Sequence, residues 1–461
     1  MTPLWTSAAI AAATGGTASA DFAVTGVAYD SREVGPGDLF VALTGESTDG
    51  HRFVEQAFRQ GAAGVLVSRP MDGPHVRVAD TTAALNALGA ASRARSAARI
   101  VGVTGSVGKT GTKEALFAAL DRPAPGRAHR SVKSYNNHVG VPLSLARMPA
   151  DARFGVFEMG MNHAGELDAL TRLVRPHVAL VTAIAPAHSA FFSGEEAIAD
   201  AKSEIFRGLE PGGTAIIPFD SPHRDRLIAA AEPYAARIVT FGTGKGADVR
   251  AEEAVRATAG TLVNATLPGG QLTFTIGLPG AHWVSNALAV LAAVDAVGGD
   301  LAAAGLALAE MAGLPGRGRR VAIPVAGGEA LLIDESYNAN PASMAATIHE
   351  LGREKATRRI ALLGEMRELG AGSAGYHAAL AGPLAGAADV AILVGEGMAP
   401  LVEALGAESL AGRIDVAHVA DAATAKDRLA EMLRPGDAVL VKGSNAIGLA
   451  GVVHALARES V

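Results

Sequence analysis

The stretch Arg99-Ile-Val-Gly-Val-Thr-Gly-Ser-Val-Gly-Lys-Thr-Gly-Thr-Lys-Glu-Ala-Leu116 decides how the chain is read. Ile100, Val101 and Val103 form a short apolar run suited to a buried strand. Gly105 and Gly108 let the backbone turn with its N–H groups inward, and Lys109 and Thr110 open a helical pattern. Backbone amides and the helix dipole at such a turn attract phosphate, Lys neutralises its charge, and a Thr hydroxyl reaches Mg²⁺. The eight-position P-loop pattern asks for Gly where Val103 stands. What remains is the shorter core Gly-x-x-Gly-Lys-Thr, here Gly105 to Thr110, in a strand–helix setting. A glycine-rich surface turn is the competing reading, and it leaves the flanking apolar strand and helical pattern unexplained.

The chain has 461 residues, enough for two to four domains. Apolar residues make up 49%, yet no apolar run approaches membrane-spanning length. A net charge of -6 argues against nucleic acid as a partner. There are no cysteines, which excludes disulfides and thiol catalysis and suits a cytoplasmic protein. Ala18-Ser19-Ala20 imitates a signal-peptidase site, but no Lys or Arg precedes Arg32. A short helix capped by Thr6 or Ser7 and ended at Gly15-Gly16 is expected instead.

Residues 1–82 read as a small α/β unit. Two polar loops, Asp30-Ser31-Arg32 and Asp49-Gly50-His51, each follow a strand candidate. They suit either a small anionic ligand or solvent. Residues 83–312 alternate strands and helices, which implies a mostly parallel sheet with helices on both faces. Ligands of such sheets lie beyond the strands' carboxyl ends. Glu158 ends one strand candidate, and His188 lies on the exit loop of another. Ser193-Gly-Glu-Glu196 predicts a capping box opening the helix that carries Lys202. Glu158 and His188 beside the loop are candidate Mg²⁺ ligands, although a hydrogen-bonded loop histidine explains His188 equally simply. On the residues alone Lys202 reads first as part of a solvated helix face, ahead of an active-site lysine. His282 and Asn286 share one helix face. Residues 313–461 read as a second, Rossmann-like α/β unit without a GxGxxG fingerprint. Gly313-Leu-Pro-Gly-Arg-Gly318 is the expected linker, with Arg317 either solvated or placed to reach a nucleotide.

Taken together these stretches resemble the Mur ligases, ATP-dependent amide-forming enzymes of peptidoglycan precursor synthesis. The resemblance covers nearly the whole chain. Thr104 to Thr110 is similar to the family's shortened loop, and Lys109, Glu158, His188, Asn286 and Arg317 occur in family order. Asn136-Asn-His-Val-Gly-Val-Pro142, Glu158-Met-Gly-Met-Asn-His-Ala-Gly-Glu166 and Asp334-Glu-Ser-Tyr-Asn-Ala-Asn-Pro-Ala-Ser-Met344 point to the branch that adds D-alanyl-D-alanine. Leu363 to Gly370 and Val441 to Ser444 add support. Asp30 to Phe40 with Asp49 to His51 looks like the family's UDP-sugar domain. The diamino-acid-adding relatives and the folate ligases are the nearest alternatives. A P-loop nucleotide switch is the alternative of another class.

The resemblance implies three α/β domains and the cofactors ATP and Mg²⁺. The substrates it implies are UDP-N-acetylmuramoyl-tripeptide and D-alanyl-D-alanine, with no nucleic acid or membrane insertion and a monomeric cytoplasmic enzyme. It assigns nucleotide contacts to Thr104, Gly105, Ser106, Val107, Gly108, Lys109, Thr110, Gly111, Asn286, Arg317 and Glu335. Metal contacts fall on Thr110, Glu158 and His188, and Lys202 is the position of a carbamylated lysine. Substrate contacts fall on Ser31, Arg32, Asp49, Gly50, His51, Asn136, Asn137, Tyr337, Asn338 and Asn340. Glu335 departs from the family's usual Asp, and the Ala-Pro-Ala-His-Ser loop around His188 departs from the usual apolar residue after His. The chemistry implied is a carboxylate activated as an acyl phosphate and captured by an amine.

Overall fold

The computed structural model describes residues 3–45, 48–186, 191–257, 260–407 and 412–458. Four sheets organise these residues. Thr17–Ala18, His75–Arg77, Gly64–Val67, Asp38–Val41 and Gly26–Ala28 form a five-stranded sheet near the amino terminus, and a small two-stranded ribbon sits beside it. The helix Ser7–Thr14 begins and ends as its residues dictate. Thr6 Oγ1 accepts the Ala9 N–H at 3.2 Å, and Gly15 closes the helix at φ 65°.

The second sheet has nine strands. Six of its pairings, running from Ala128–Arg130 through Arg99–Thr104 to Val249–Ala257, are parallel. Three strands between Val249 and Ile276 extend one edge as an antiparallel meander. Arg99–Thr104 lies between Phe154–Glu158 and Val178–Val181. Its buried neighbours therefore place the phosphate-type loop at the sheet's carboxyl edge. One core packs under the helices Lys109–Asp121 and Ala281–Ala296, and another fills the opposite face around Phe157 and Phe206. Burying both faces explains why these strands read as unbroken apolar runs.

The helix Thr81–Arg95 ties the first two sheets together. Thr81 Oγ1 donates to Ala42 O at 2.9 Å, while Arg93 Nε donates to Val174 O at 2.9 Å. The carboxyl-terminal sheet has six strands, parallel apart from the hairpin of Arg319–Val325 with Gly328–Glu335.

One local expectation is corrected. The helix Glu195–Ser203 does carry Lys202, but no capping box forms at Ser193. Extended Gly194 occupies the cap position and the helix has no side-chain cap, so Ser193 falls one residue too early to reach the first amides.

Candidate active site

The turn after Arg99–Thr104 is closed by glycine geometry. Gly105 has φ 149°, and a Cβ there would lie 1.9 Å from Thr182 Oγ1; Gly108 has φ 82°, and a Cβ would lie 2.8 Å from Asn286 Oδ1. The loop thus keeps a backbone path that larger residues would block. The helix Lys109–Asp121 starts with no side-chain cap, which leaves its first amides directed at the space above the loop. Ser106 N is already taken by Ala183 O at 2.8 Å, so the outer turn of the loop is anchored to the neighbouring strand's exit.

A cavity of about 480 Å³ opens there, lined by Ser106 to Gly111 on one side and by Arg317, Glu335, Tyr337, Asn338 and Asn340 on the other. Glu158, Asn136, His282 and Asn286 also line it. Thr104 and Gly105 support the loop from behind.

Lys109 Nζ donates to Gly105 O at 2.7 Å. Burial pushes its pKa down and nearby Arg317 pushes the same way, partly offset by Glu158. Thr110 Oγ1 donates to Glu158 Oε2 at 2.9 Å and lies 3.3 Å from Ser134 Oγ. Asn136 Nδ2 donates to the other carboxylate oxygen, Oε1, at 2.7 Å. Glu158 is 1% exposed, and the nearest cation is Lys113, at 4.0 Å.

The donor set is therefore a hydroxyl and a carboxylate. Among the described residues no three His, Cys, Asp or Glu side chains converge as a metal cage. That sparse oxygen set fits Mg²⁺, which keeps waters and phosphate oxygens as its remaining ligands. The glycine cradle fits the phosphates of a nucleotide. His188 lies outside the described residues.

Lys202 is 1% exposed, which overturns the solvated-face reading. Burial lowers its pKa well below that of a free lysine, and the neighbouring charge of Lys109 adds to the effect. The linker is pinned rather than loose. Asp334 Oδ2 accepts the Gly316 N–H at 2.7 Å, and Gly318 N donates to Asp334 O at 2.9 Å. The Arg317 guanidinium lies 4.0 Å over the Tyr337 ring, and its Nη2 reaches Ser134 Oγ at 3.5 Å.

Glu335 lies 3.8 Å from Lys442 Nζ, which also donates to Asn338 O at 2.9 Å. Burial raises the Glu335 pKa, with Lys442 and Arg317 pulling it back. Asn340 caps the helix Pro341–Gly352 through Ser343 N at 2.9 Å, so its side chain is committed locally. The Asn137 side chain is also held locally, its Oδ1 accepting the Gly140 N–H at 2.9 Å just before the helix Gly140–Ala146.

Two relationships at this cavity were not singled out from sequence: Lys113 beneath Glu158, and Ser134 between Thr110 and Arg317. Lys113 carries the one overlooked signal, a charged residue one turn along the helix from Lys109.

The residues of the first domain lie outside this cavity. Ser31 is buried and donates to Gln56 Oε1 at 3.4 Å. Arg32 is exposed, with Asp30 2.6 Å away. Ser68 N donates to His51 Nε2 at 2.9 Å, which leaves the proton on Nδ1, facing Asp49 Oδ1 at 2.6 Å. Gly50 fits because a Cβ would meet Leu43 O at 2.7 Å.

Three family models match the chain. The Mur ligase family catalytic domain matches residues 23–122, the Mur ligase middle domain 103–294, and the Mur ligase glutamate ligase domain 318–445. The chain is a Mur ligase.

This ligase is 36% identical over 443 residues to UDP-N-acetylmuramoyl-tripeptide--D-alanyl-D-alanine ligase of Escherichia coli K12, covering 95% of this chain and 94% of that one. It is 33% identical over 454 residues to the protein of the same name from Synechocystis, covering 96% and 94%. Among solved structures it resembles MurF from Acinetobacter baumannii with TM-score 0.84 and 31% identity, over 98% of this chain and 99% of that one. MurF from Thermotoga maritima in complex with ADP superposes with TM-score 0.77 at 26% identity, over 95% and 98%. The Mur ligase fold expected from sequence is the fold observed.

Proposed function

We propose that this Mur ligase joins D-alanyl-D-alanine to UDP-N-acetylmuramoyl-tripeptide at the expense of ATP, forming the pentapeptide precursor of peptidoglycan. The observation that carries the reading is the shared cavity. It sets the Lys109–Thr110 loop and Glu158 opposite Arg317 and the Tyr337–Asn340 stretch. Relatives bearing the D-alanyl-D-alanine ligase name match across nearly the whole chain.

In this reading residues 1–82 hold the UDP-sugar through Ser31, Arg32, Asp49, Gly50 and His51. Residues 83–312 hold the nucleotide, and residues 313–461 bring the dipeptide. Lys109 and the loop amides bind the β- and γ-phosphates, Asn286 lies near the adenine, and Glu335 meets the ribose. Thr110 and Glu158 hold Mg²⁺, which neutralises phosphate charge when bound. Asn136, Tyr337 and Asn338 shape the space for the two peptides.

The tripeptide's carboxylate oxygen attacks the γ-phosphorus, and ADP departs. The dipeptide amine then attacks the acyl carbon, inorganic phosphate leaves with the C–O bond electrons, and the amine loses a proton. The chain's residues contribute alignment and charge rather than a covalent nucleophile.

Lys202 is the proposed carbamylation site. Its burial favours the neutral amine, the form whose lone pair attacks CO₂. The resulting anion would suit a position beside Lys109. A cytoplasmic location accords with the absence of cysteine; among the described residues no helix is long and apolar enough to cross a membrane.

The deciding experiment measures phosphate release from ATP with UDP-N-acetylmuramoyl-tripeptide, with and without D-alanyl-D-alanine. Release that requires both substrates, with pentapeptide formed in step, is the expected result. Release indifferent to the dipeptide would favour a nucleotide switch.

A further inference from the structure

Six residues, Ser131 to Asn136, form a strap that touches all three parts of the molecule. From below, the fully buried Lys113 ammonium donates to Lys133 O. Lys133 has φ 47°, left-handed for a residue with a side chain. That conformation points its carbonyl at Lys113 while its own ammonium reaches Glu33 in the first domain. Tyr135 Oη donates to the same Glu33 oxygen at 2.8 Å, and the Tyr135 ring stands 5.5 Å from Tyr29.

Ser134 and Asn136 line the cavity, and buried Ser131 lies behind Glu158. Glu158 N donates to Ser131 Oγ at 2.9 Å, and Asn136 Nδ2 holds the Glu158 carboxylate. Ser134 lies between Thr110 and Arg317. Glu33 itself directly follows Ser31 and Arg32, on the short helix Ser31–Glu33.

We infer that Glu33 is a positioning residue: through Lys133 and Tyr135 it sets the strap, and so couples occupancy of the first domain's Ser31–Arg32 loop to the posture of Glu158, Ser134 and Arg317. The inference rests on the substrate assignment above. It adds a residue that touches neither nucleotide nor metal. A partly exposed ion pair contributes little to stability, so Glu33 is not there to hold the fold. What it does supply is a bias on a segment with bonds to two sites. Such a bias appears as a coupling between two ligands, equal in both directions.

The test measures binding of the non-hydrolysable nucleotide AMP-PNP with Mg²⁺ to the full chain, with and without saturating UDP-N-acetylmuramoyl-tripeptide. In the unaltered chain the sugar peptide should tighten AMP-PNP binding by about tenfold, within the usual range of such couplings. In Glu33→Ala the factor should fall to about two or less, with AMP-PNP affinity alone and the thermal midpoint little changed. Tyr135→Phe removes one hydroxyl and nothing else, and should give an intermediate factor. A merely structural role would move the midpoint and leave the factor alone. Full coupling in both variants overturns the proposal, as does an unaltered chain whose two ligands bind independently. Failure of the unaltered chain to bind the sugar peptide at all refutes the substrate assignment instead, and this proposal with it.

Discussion

Thr110 Oγ1 and Glu158 Oε2 meet at 2.9 Å, joining the first turn of one helix to the last residue of a neighbouring strand. The bond holds a hydroxyl and a carboxylate oxygen side by side at the mouth of the phosphate loop. Both atoms are oxygen donors, and Asn136 keeps the carboxylate from rotating.

Glu158→Gln keeps the shape and removes the charge. The Mg²⁺ concentration giving half-maximal turnover should rise by about tenfold or more, while the thermal midpoint moves little. A titration of phosphate release against Mg²⁺ checks this. An unchanged midpoint concentration would remove Glu158 from the metal site.

Lys109→Ala should lower ATP turnover by about a hundredfold or more, the scale on which a lost charge-stabilising donor acts. Circular dichroism should be unaltered, because the ammonium's described hydrogen bond is to its own loop at Gly105. Near-normal turnover in a folded variant would refute the phosphate assignment.

Arg317 should behave differently. It stacks on Tyr337 and reaches Ser134 only at 3.5 Å, a weak hold on a charge that faces the cavity. Arg317→Ala should cut kcat by about tenfold or more while KM for ATP stays within about threefold. Equal losses in kcat and in ATP affinity would mean a static binding role.

Lys202→Ala should lose turnover that added short carboxylic acids partly restore, if a carbamate supplies an anion there. Lys202→Met tests the burial argument separately. The folded-state pKa lies below the unfolded one, so between the two values the unfolded chain binds more protons and stability rises with pH. Replacing the amine with a thioether removes that dependence. The thermal midpoint of Lys202→Met should therefore exceed that of the unaltered chain most clearly near pH 6. A lower midpoint would show that the amine, or its adduct, stabilises the fold.

His129, His177 and His282 all have pKa values lowered to about 4, chiefly by burial. Their unfolded values lie near 6.5. Between pH 6.5 and 4 the unfolded chain binds more protons, so each drains stability as pH falls through that window. His129→Gln should flatten the slope of stability against pH there by about one proton's worth. Denaturant midpoints measured at half-unit pH steps would show it, and an unaltered slope would mean that His129 is already charged in the folded chain.

Much of the fold was readable because the relevant physics is local. The helix Ser7–Thr14 sits between the Thr6 cap and Gly15, as its residues demand. The apolar run at Ile100 to Val103 became a central strand. The capping box at Ser193 failed for an equally local reason, the extended Gly194. The solvated-face reading of Lys202 failed because helical spacing names a face, and only the packing against that face says whether water reaches it.

The chain by itself determined the strand–turn–helix, the glycines at its bends, and the charge types available at the strand ends. Those properties depend on neighbouring residues, whose backbone preferences and side-chain sizes operate within a few bonds. Tertiary structure alone decided that Thr110 meets Glu158 across 48 positions and that Arg317 reaches Ser134 across 183. It alone put Lys113 beneath the strap and brought Glu33 to Tyr135. Such pairs form where separate packed bodies present their surfaces to one another. No periodicity in the chain encodes which two loops will share a cavity.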